Sequence, residues 1–210
     1  MKKLLAILLT LVLMMTFAGC GGGTGDEGGS GEAENQEVNV SSTKTLGYFN
    51  DYLIDGEYTM ETQMEVEGIS TAGFYAVKGD MLYSESEMDG VTSMMISKDG
   101  SQYVLDPATK TCIKMSMDMA DMSEMFAEEA EKYETALNTG TIDIGGVTYE
   151  YEEFAVEEET TAKYCYDGDE LKYIVTTMDG EEYTMQILSM EKGADSSLFE
   201  IPEGYTVLEL

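Results

Sequence analysis

Apolar and polar side chains alternate along much of the chain after position 56, a period that is typical of β-strands with one solvated face. In residues 57–67 the apolar side is formed by Tyr58, Met60, Met64 and Val66, and the polar side by Glu57, Glu61, Glu65 and Glu67. Two further segments repeat the pattern, with Val147, Tyr149 and Tyr151 against Thr148, Glu150 and Glu152, and with Tyr183, Met185 and Ile187 against Glu182, Thr184 and Gln186. The pattern predicts a sheet with one covered face.

Short turn sequences separate the alternating segments at close intervals. They are Lys78-Gly79-Asp80, Asp89-Gly90, Asp99-Gly100, Gly145-Gly146, Asp167-Gly168-Asp169 and Asp179-Gly180. Asp-Gly between alternating segments indicates a tight hairpin, because both central residues of a type I′ turn have positive φ. We therefore expect an antiparallel meander over most of the chain.

Two segments follow the period of an α-helix instead. The longer runs from Asp121 to Asn138, with Glu124 as a capping partner of Asp121 and Gly140 as a C-terminal stop. Its residues at helical spacing are Met122, Met125, Phe126, Ala130, Tyr133 and Leu137. A shorter segment around 45–54 places Leu46, Phe49 and Leu53 at the same spacing. The predicted fold class is α+β, a curved antiparallel β-meander, or half-barrel, covered by one or two helices.

The first twenty residues predict export and attachment of a lipid. Lys2 and Lys3 precede an apolar run from Leu4 to Phe17, as in a signal peptide, and the run is shorter than the roughly 20 residues of a permanent membrane helix. It ends in Phe17-Ala18-Gly19-Cys20, which resembles the lipobox of bacterial lipoproteins with Phe17 in place of the usual Leu. The resemblance implies removal of residues 1–19 and acylation of Cys20. The alternative is an ordinary signal peptide with a chance cysteine.

The remaining chain is expected to form a tether and one domain. Residues 20–37 contain the lipidated Cys20 and then mostly Gly, Ser, acidic and amide residues, which cannot bury a core and favour a flexible tether. Residues 38–210 show no second change of composition, so a single domain is expected there. The anchored protein would be extracytoplasmic, on the outer leaflet of the cell membrane, or facing the periplasm or in the outer membrane of a diderm host.

Charge excludes several functions. The chain has 42 acidic residues, 11 lysines, no arginine and no histidine, and loss of two lysines with the signal peptide changes its formal charge from −31 to −33. This balance excludes nucleic acid as a partner and leaves the lipid anchor, or a local apolar patch, as the contact with the membrane. Without histidine, and with carboxylates in solvated runs, the sequence offers no catalytic constellation. We therefore expect no enzyme activity and no cofactor.

The order of elements resembles the LolA-like fold of bacterial lipoprotein carriers and of the related LppX-type lipoproteins. The segments that carry the resemblance are Glu170-Leu171-Lys172-Tyr173, Met178-Asp179-Gly180 and Leu198-Phe199-Glu200-Ile201-Pro202-Glu203-Gly204-Tyr205. The resemblance implies an apolar cavity between a half-barrel and a helical lid that can hold acyl chains. The arginine on which the carrier LolA depends has no counterpart in this chain.

The residue types are suited to such a cavity. Seventeen methionines and fourteen tyrosines, with no tryptophan, supply flexible thioethers and amphipathic rings that adapt to a lipid or another apolar small molecule. We expect the cavity to be lined by the inward residues Tyr58, Met60, Met64, Met122, Met125, Phe126, Tyr149, Tyr183, Met185 and Ile187. The alternative is a structural or protein-interaction lipoprotein, its partner unidentified, in which the same residues fill a core.

The sulfur-containing residues support two further hypotheses. Met115, Met117, Met119, Met122 and Met125 lie near Cys112, and soft sulfur ligands select copper(I); the favoured alternative is a methionine-lined core, since no histidine accompanies them. Cys112 and Cys165 form a possible disulfide after export, which requires Cα atoms within about 7 Å. Otherwise each is a small buried apolar residue.

Overall fold

The computed structural model describes residues 43–54, 56–66, 68–116, 130, 132–157 and 159–209. The described chain begins with helix α1 (Lys44–Tyr48), which continues directly into a π-helical segment, Phe49–Ile54. Thr43 caps α1, because its hydroxyl oxygen accepts a hydrogen bond from the backbone N–H of Leu46 at 3.0 Å. The short helix predicted around residues 45–54 is confirmed. Within these ranges, no helix is both long and apolar enough to cross a membrane.

The described residues contain twelve strands that form one sheet. They are β1 (Glu57–Val66), β2 (Ile69–Lys78), β3 (Met81–Met88), β4 (Val91–Lys98), β5 (Ser101–Asp106), β6 (Thr111–Ser116), β7 (Asn138–Ile144), β8 (Val147–Glu157), β9 (Thr160–Asp167), β10 (Glu170–Met178), β11 (Glu181–Lys192) and β12 (Thr206–Glu209). Their order across the sheet is β12-β6-β5-β4-β3-β2-β1-β11-β10-β9-β8-β7. Neighbouring strands are antiparallel, except that β12 lies parallel to β6.

Two meanders build this sheet, and they meet where β1 pairs with β11. One runs outward from β1 to β6, and the other runs inward from β7 to β11. Strands β7 and β12 each have a single described neighbour, so the described sheet is open. The predicted fold class, α+β with a curved antiparallel meander covered by a short helix, is confirmed.

Tight turns connect the strands as predicted. Both central residues have positive φ at Asp89-Gly90, Asp99-Gly100, Gly145-Gly146 and Asp179-Gly180, as type I′ geometry requires. At the other two predicted turns, the first central residue is a glycine with a φ of 59° (Gly79 and Gly168). A glycine at that position is typical of a type II′ turn, which also suits the right-handed twist of a hairpin.

The pairing register divides the sheet into two faces, because directly paired residues point to the same side. We call the side of Tyr58, Met60, Met64 and Val66 the front face, and these four side chains are 3–8% exposed. We call the side of Glu57, Glu61 and Glu65 the back face, and these three are exposed. The alternation predicted for this strand is confirmed, and Glu67 lies outside the described residues.

The back face of β2 to β6 is covered by the segment that follows β11. Within that segment the 3-10 turn Ser196–Phe199 brings Phe199 onto the sheet, where its side chain is 1% exposed. It packs in a cluster with Ala76, Tyr83, Ile96, Leu105 and Cys112. Ile201 and Tyr205 pack against the same cluster. The ending that carries the family resemblance is therefore part of a core.

The longer predicted helix ends earlier than its sequence pattern indicates. Residues 117–129 and 131 lie outside the described residues, so Met122, Met125 and Phe126 are not placed. Ala130 is helical, residues 132–137 form turns and bends, and β7 begins at Asn138. The helix predicted to reach Asn138, with Gly140 as its stop, is thus wrong at its C-terminal end. Gly140 instead lies in β7 beneath the ring of Tyr151. A Cβ at this position would be only 3.1 Å from the atoms of that ring.

Candidate ligand-binding face

Six of the ten predicted cavity residues share the front face of β1 and β11. Met64 lies directly opposite Met185, and Ile187 lies opposite Thr62. The six are Tyr58, Met60, Met64, Tyr183, Met185 and Ile187. All are buried except Tyr183, which is partly buried and donates a hydrogen bond to Glu181 at 2.7 Å. The two strands thus form a mainly apolar surface at the centre of the sheet, interrupted by the Thr62 hydroxyl.

Three further front-face residues on the adjacent strands extend this surface, and the sequence patterns did not identify them. Tyr75 pairs with Met60, Val77 pairs with Tyr58, and Leu82 pairs with Val77. All three are buried. Residues 74–77 are apolar on both faces, so alternation gives no orientation for β2. The register of the β1–β2 hairpin, in which Val66 pairs with Ile69, is the signal that would have placed them.

The front face differs sharply from the back face in charge. Strands β1 to β4 are fully described, and none of their front-face residues is charged. Their back face carries Glu57, Glu61, Glu65, Glu85, Glu87, Lys78 and Lys98. In a chain with 42 acidic residues this separation keeps the front face of these four strands free of ions that an apolar ligand would desolvate. Lys192 of β11 lies opposite Tyr58, at the end of this surface.

The polar side chains on the front face of β1 and β2 are hydroxyl groups, those of Tyr58, Thr62, Thr71 and Tyr75. A hydrogen bond joins the side chains of Tyr75 and Thr62, and the ring of Tyr75 lies across Gly73. A Cβ at Gly73 would be 2.7 Å from the Thr62 hydroxyl oxygen and 2.9 Å from that ring, so glycine leaves the space for this arrangement. Burial raises the pKa of both Tyr58 and Tyr75, which keeps their hydroxyl groups neutral.

An aromatic cluster closes the front face further along the sheet, above β8 and β9. Phe49 of the π-helical segment stacks on Tyr133 with ring centroids 4.1 Å apart. Tyr133 and Tyr164 are joined through their hydroxyl oxygens at 2.8 Å, and Phe154 contacts both rings edge-on. All four side chains are buried. Helix α1 and its π-helical continuation, which we call the N-terminal helix of the domain, therefore pack on the same face as the apolar surface of β1 and β11.

One carboxylate of the sheet accepts three hydrogen bonds from the start of this helix. Glu152 of β8 accepts hydrogen bonds from the backbone N–H of Lys44 at 2.9 Å and of Thr45 at 2.8 Å, and from the Thr45 hydroxyl at 2.7 Å. The Thr45 hydroxyl also lies 2.9 Å from that of Tyr166, whose pKa is raised by burial. Beside Tyr166, the pKa of Tyr48 is raised to about 12, mainly by burial and to a smaller extent by the neighbouring Tyr52.

Tyr149 lies on the back face, so its predicted place in the cavity is wrong. It pairs with Ile142 and contacts Tyr173, which shares the back face with Cys165. Val147 on the same side is 51% exposed. The prediction assumed that the apolar side of β8 is the covered one. In the structure the covered side of β8 is the front face instead. Helix α1 packs there, and its first backbone N–H groups need the Glu152 carboxylate as an acceptor.

The two described cysteines are free and buried, as the alternative to a disulfide requires. Cys112 lies on β6 and Cys165 on β9, and seven strands separate them in the sheet. Burial raises the pKa of the Cys112 thiol, and raises that of Cys165 to about 11. Met115 pairs with Gln102 on the front face, whereas Cys112 is on the back face. This placement separates the two described members of the proposed copper(I) set; Met117 and Met119 lie outside the described residues.

A groove of about 320 Å³ lies at the edge of the sheet, beside the start of α1. It is lined by Lys44, Thr139, Gly140, Thr141, Glu150, Tyr151, Glu152 and Tyr166. Lys44 spans it, with its ammonium nitrogen 2.9 Å from Glu150 and 3.1 Å from the carbonyl oxygen of Gly168. None of the predicted cavity residues that the structure describes lines this groove, so it is distinct from the apolar surface of β1 and β11.

Solved structures similar to this one include three with low sequence identity. An uncharacterized conserved protein from Thermus thermophilus is 8% identical, with a TM-score of 0.51 over 79% of this chain and 99% of that chain. LprF from Mycobacterium bovis is 8% identical, with a TM-score of 0.42 over 80% and 100% of the two chains. MucB in complex with MucA(peri) is 12% identical, with a TM-score of 0.39 over 76% and 60%. The likeness to the Thermus protein is one of fold. No protein-family model and no curated protein matches the chain.

Proposed function

We propose that the protein is a membrane-anchored, extracytoplasmic lipoprotein that binds an apolar ligand, of which lipid is the favoured class, against the front face of β11, β1 and β2. The observation that carries this proposal is the uncharged front face of β1 to β4 in a chain with 42 acidic residues. Because an ordinary core would also be uncharged, the proposal needs a second observation. The methionines that meet across β1 and β11 add a side chain with three rotatable bonds, which can rearrange around an acyl chain.

The energy available from such a surface is sufficient for useful affinity. Burial of one methylene group contributes about 0.8 kcal/mol, so ten buried methylenes contribute at most about 8 kcal/mol. This corresponds to a dissociation constant on the order of micromolar before the cost of immobilising the chain. A negative charge beside the acyl chain would remove several kcal/mol of this gain.

Anchoring rests on the lipobox-like segment that ends at Cys20 and on the composition of residues 21–37. Two acyl signals give stable attachment, whereas one gives marginal attachment. Cys20→Ser is expected to abolish incorporation of a labelled fatty acid and to leave the precursor uncleaved. Unchanged labelling of this variant would exclude Cys20 as the site of lipid attachment.

Ligand binding is tested by titrating a fluorescent fatty acid into residues 20–210 with Cys20→Ser, refolded from denaturant so that no host lipid remains. We expect saturable binding by this protein and none by Met64→Glu, since the new carboxylate lies on the front face. Gln63→Glu is the matched control, because it adds the same charge at an exposed back-face position of the same strand. It should bind like the parent, and circular dichroism checks the folding of each variant.

The low exposure of the front-face residues favours a second candidate, an interaction module whose core is already filled. Tyr58, Met60 and Met64 are each less than a tenth exposed. In that case the well-folded parent binds no probe, and Met64→Glu mainly unfolds the protein. The same titration therefore separates the two candidates.

A further inference from the structure

The two edges of the sheet differ in how they are protected. Strand β12 has four residues, and its Glu209 forms an ion pair with Lys114 at 3.3 Å. Strand β7 has seven residues, NTGTIDI, with no lysine, no proline and no irregularity in its pairing with β8. Proteins usually protect an edge by shortness, charge, proline or a bulge, because an open edge offers unpaired backbone groups to another strand. Among the described residues, β7 has none of these devices except the single carboxylate of Asp143.

The outward backbone groups of β7 can be identified from its turn. Gly145 and Gly146 form a two-residue turn, so Ile144 and Val147 form a hydrogen-bonded pair, and alternate residues back along β7 also bond to β8. The N–H and C=O groups of Thr139, Thr141 and Asp143 consequently point away from β8. All three residues are exposed. The Thr139 N–H donates a local hydrogen bond to the Asn138 side-chain oxygen at 3.0 Å.

We propose that β7 is the interface between two copies of this chain, paired antiparallel about a two-fold axis at Thr141. This register gives the longest overlap, with all seven residues paired. It sets Thr141 opposite Thr141, Thr139 opposite Asp143, and Ile142 opposite Gly140. The only charged residue of β7 then faces a hydroxyl group, whereas a two-fold axis at Asp143 would oppose two carboxylates. Like charges directly opposite each other destabilise a strand pair.

The rest of the molecule explains why a second copy fits this edge better than other surfaces of the chain. With a net charge of −31, most exposed surfaces of two copies repel each other. β7 carries a single charge in seven residues and offers matching donors and acceptors to its own copy. On the back face Gly140 has no side chain, which leaves room for Ile142 of the second copy beside the Tyr151 ring that covers Gly140. This inference is independent of lipid binding.

Site-specific cross-linking of the purified chain with Cys20→Ser, which removes the thiol of the predicted tether, tests both the edge and the register. Directly opposed residues in a hydrogen-bonded pair have Cα atoms about 5.5 Å apart, within the range for a disulfide. Under mild oxidation Thr141→Cys should form a disulfide dimer far above the background of the parent chain. Thr148→Cys, an exposed position on β8, should not. Thr139→Cys and Asp143→Cys should each remain monomeric alone and cross-link when mixed.

A charge-matched pair of variants tests the same interface without a covalent bond. Thr141→Lys opposes two lysines at the axis and should weaken dimerisation on the order of tenfold, measured by light scattering across a dilution series. Thr148→Lys adds the same charge away from the axis and should dimerise as well as the parent or better, because it lowers the net repulsion. Salt should strengthen the dimer of the parent chain. Cross-linking of Thr141→Cys no greater than that of Thr148→Cys, or equal dilution curves for the two lysine variants, would overturn the proposal.

Discussion

The front and back faces of the sheet both bury apolar side chains, but they do so with different chemistry. The back-face cluster under Phe199 includes the branched side chains of Ile96 and Leu105 and is covered by the chain's own C-terminal segment. The buried front-face residues of β1 and β11 include three methionines, Met60, Met64 and Met185, beside Ile187 and Val66, whereas the fully buried members of the back-face cluster include none. Branched side chains pack in few rotamers and specify one structure, whereas methionine adapts to what it contacts. The difference indicates that stability resides mainly at the back face and adaptability at the front.

The largest expected effect is at Phe199, the side chain that fills the back-face cluster. Phe199→Ala removes a ring that is 1% exposed and leaves a cavity among Ile96 and Leu105. We expect the free energy of unfolding to fall by about 3–5 kcal/mol. Urea denaturation measures this loss. A loss below about 1 kcal/mol would contradict the assignment of the C-terminal segment to the core.

A pair of truncations, one on each face, sharpens the comparison. Leu105→Ala should lower the free energy of unfolding by about 2–5 kcal/mol, and Met64→Ala should lie at the lower end of that range, because Met185 opposite can move into the space. A saturating fatty acid should then reduce the deficit at Met64, since the acyl chain fills the space, and leave the deficit at Leu105 unchanged. Equal deficits with and without fatty acid at Met64 would argue that no ligand reaches this face.

The sequence pattern predicts the central strands well and the orientation of β8 poorly, for a physical reason. Tyr58, Met60 and Met64 alternate with glutamates because that strand is covered on one side and solvated on the other. In β8 the apolar Tyr149 is on the back face, and the acidic Glu152 is under the helix. A carboxylate recruited by free N–H groups of another element, 107 residues away in the case of Thr45, leaves no periodic signal. The pairing of β1 with β11 is likewise a long-range feature that local patterns do not encode.

The smallest expected effect concerns how the front face is covered. Along β8 its cover is the N-terminal helix, which is held by hydrogen bonds to Glu152 as well as by the Phe49 ring. Glu152→Ala leaves the N–H groups of Lys44 and Thr45 without their acceptor. We expect a loss of about 1–2 kcal/mol in the free energy of unfolding and faster hydrogen exchange confined to the N-terminal helix.

Glu150 provides the matched control, because it lies two residues away on the same face and bonds to the same lysine, but through an exposed ion pair at 2.9 Å. Such pairs contribute little, so Glu150→Ala should leave both stability and the exchange of the helix amides nearly unchanged. If the two variants behave alike, the carboxylate of Glu152 acts only through surface charge. If only Glu152→Ala loosens the helix while the Phe199 cluster keeps its protection, the two faces are covered independently, and the front cover opens at lower free energy than the back.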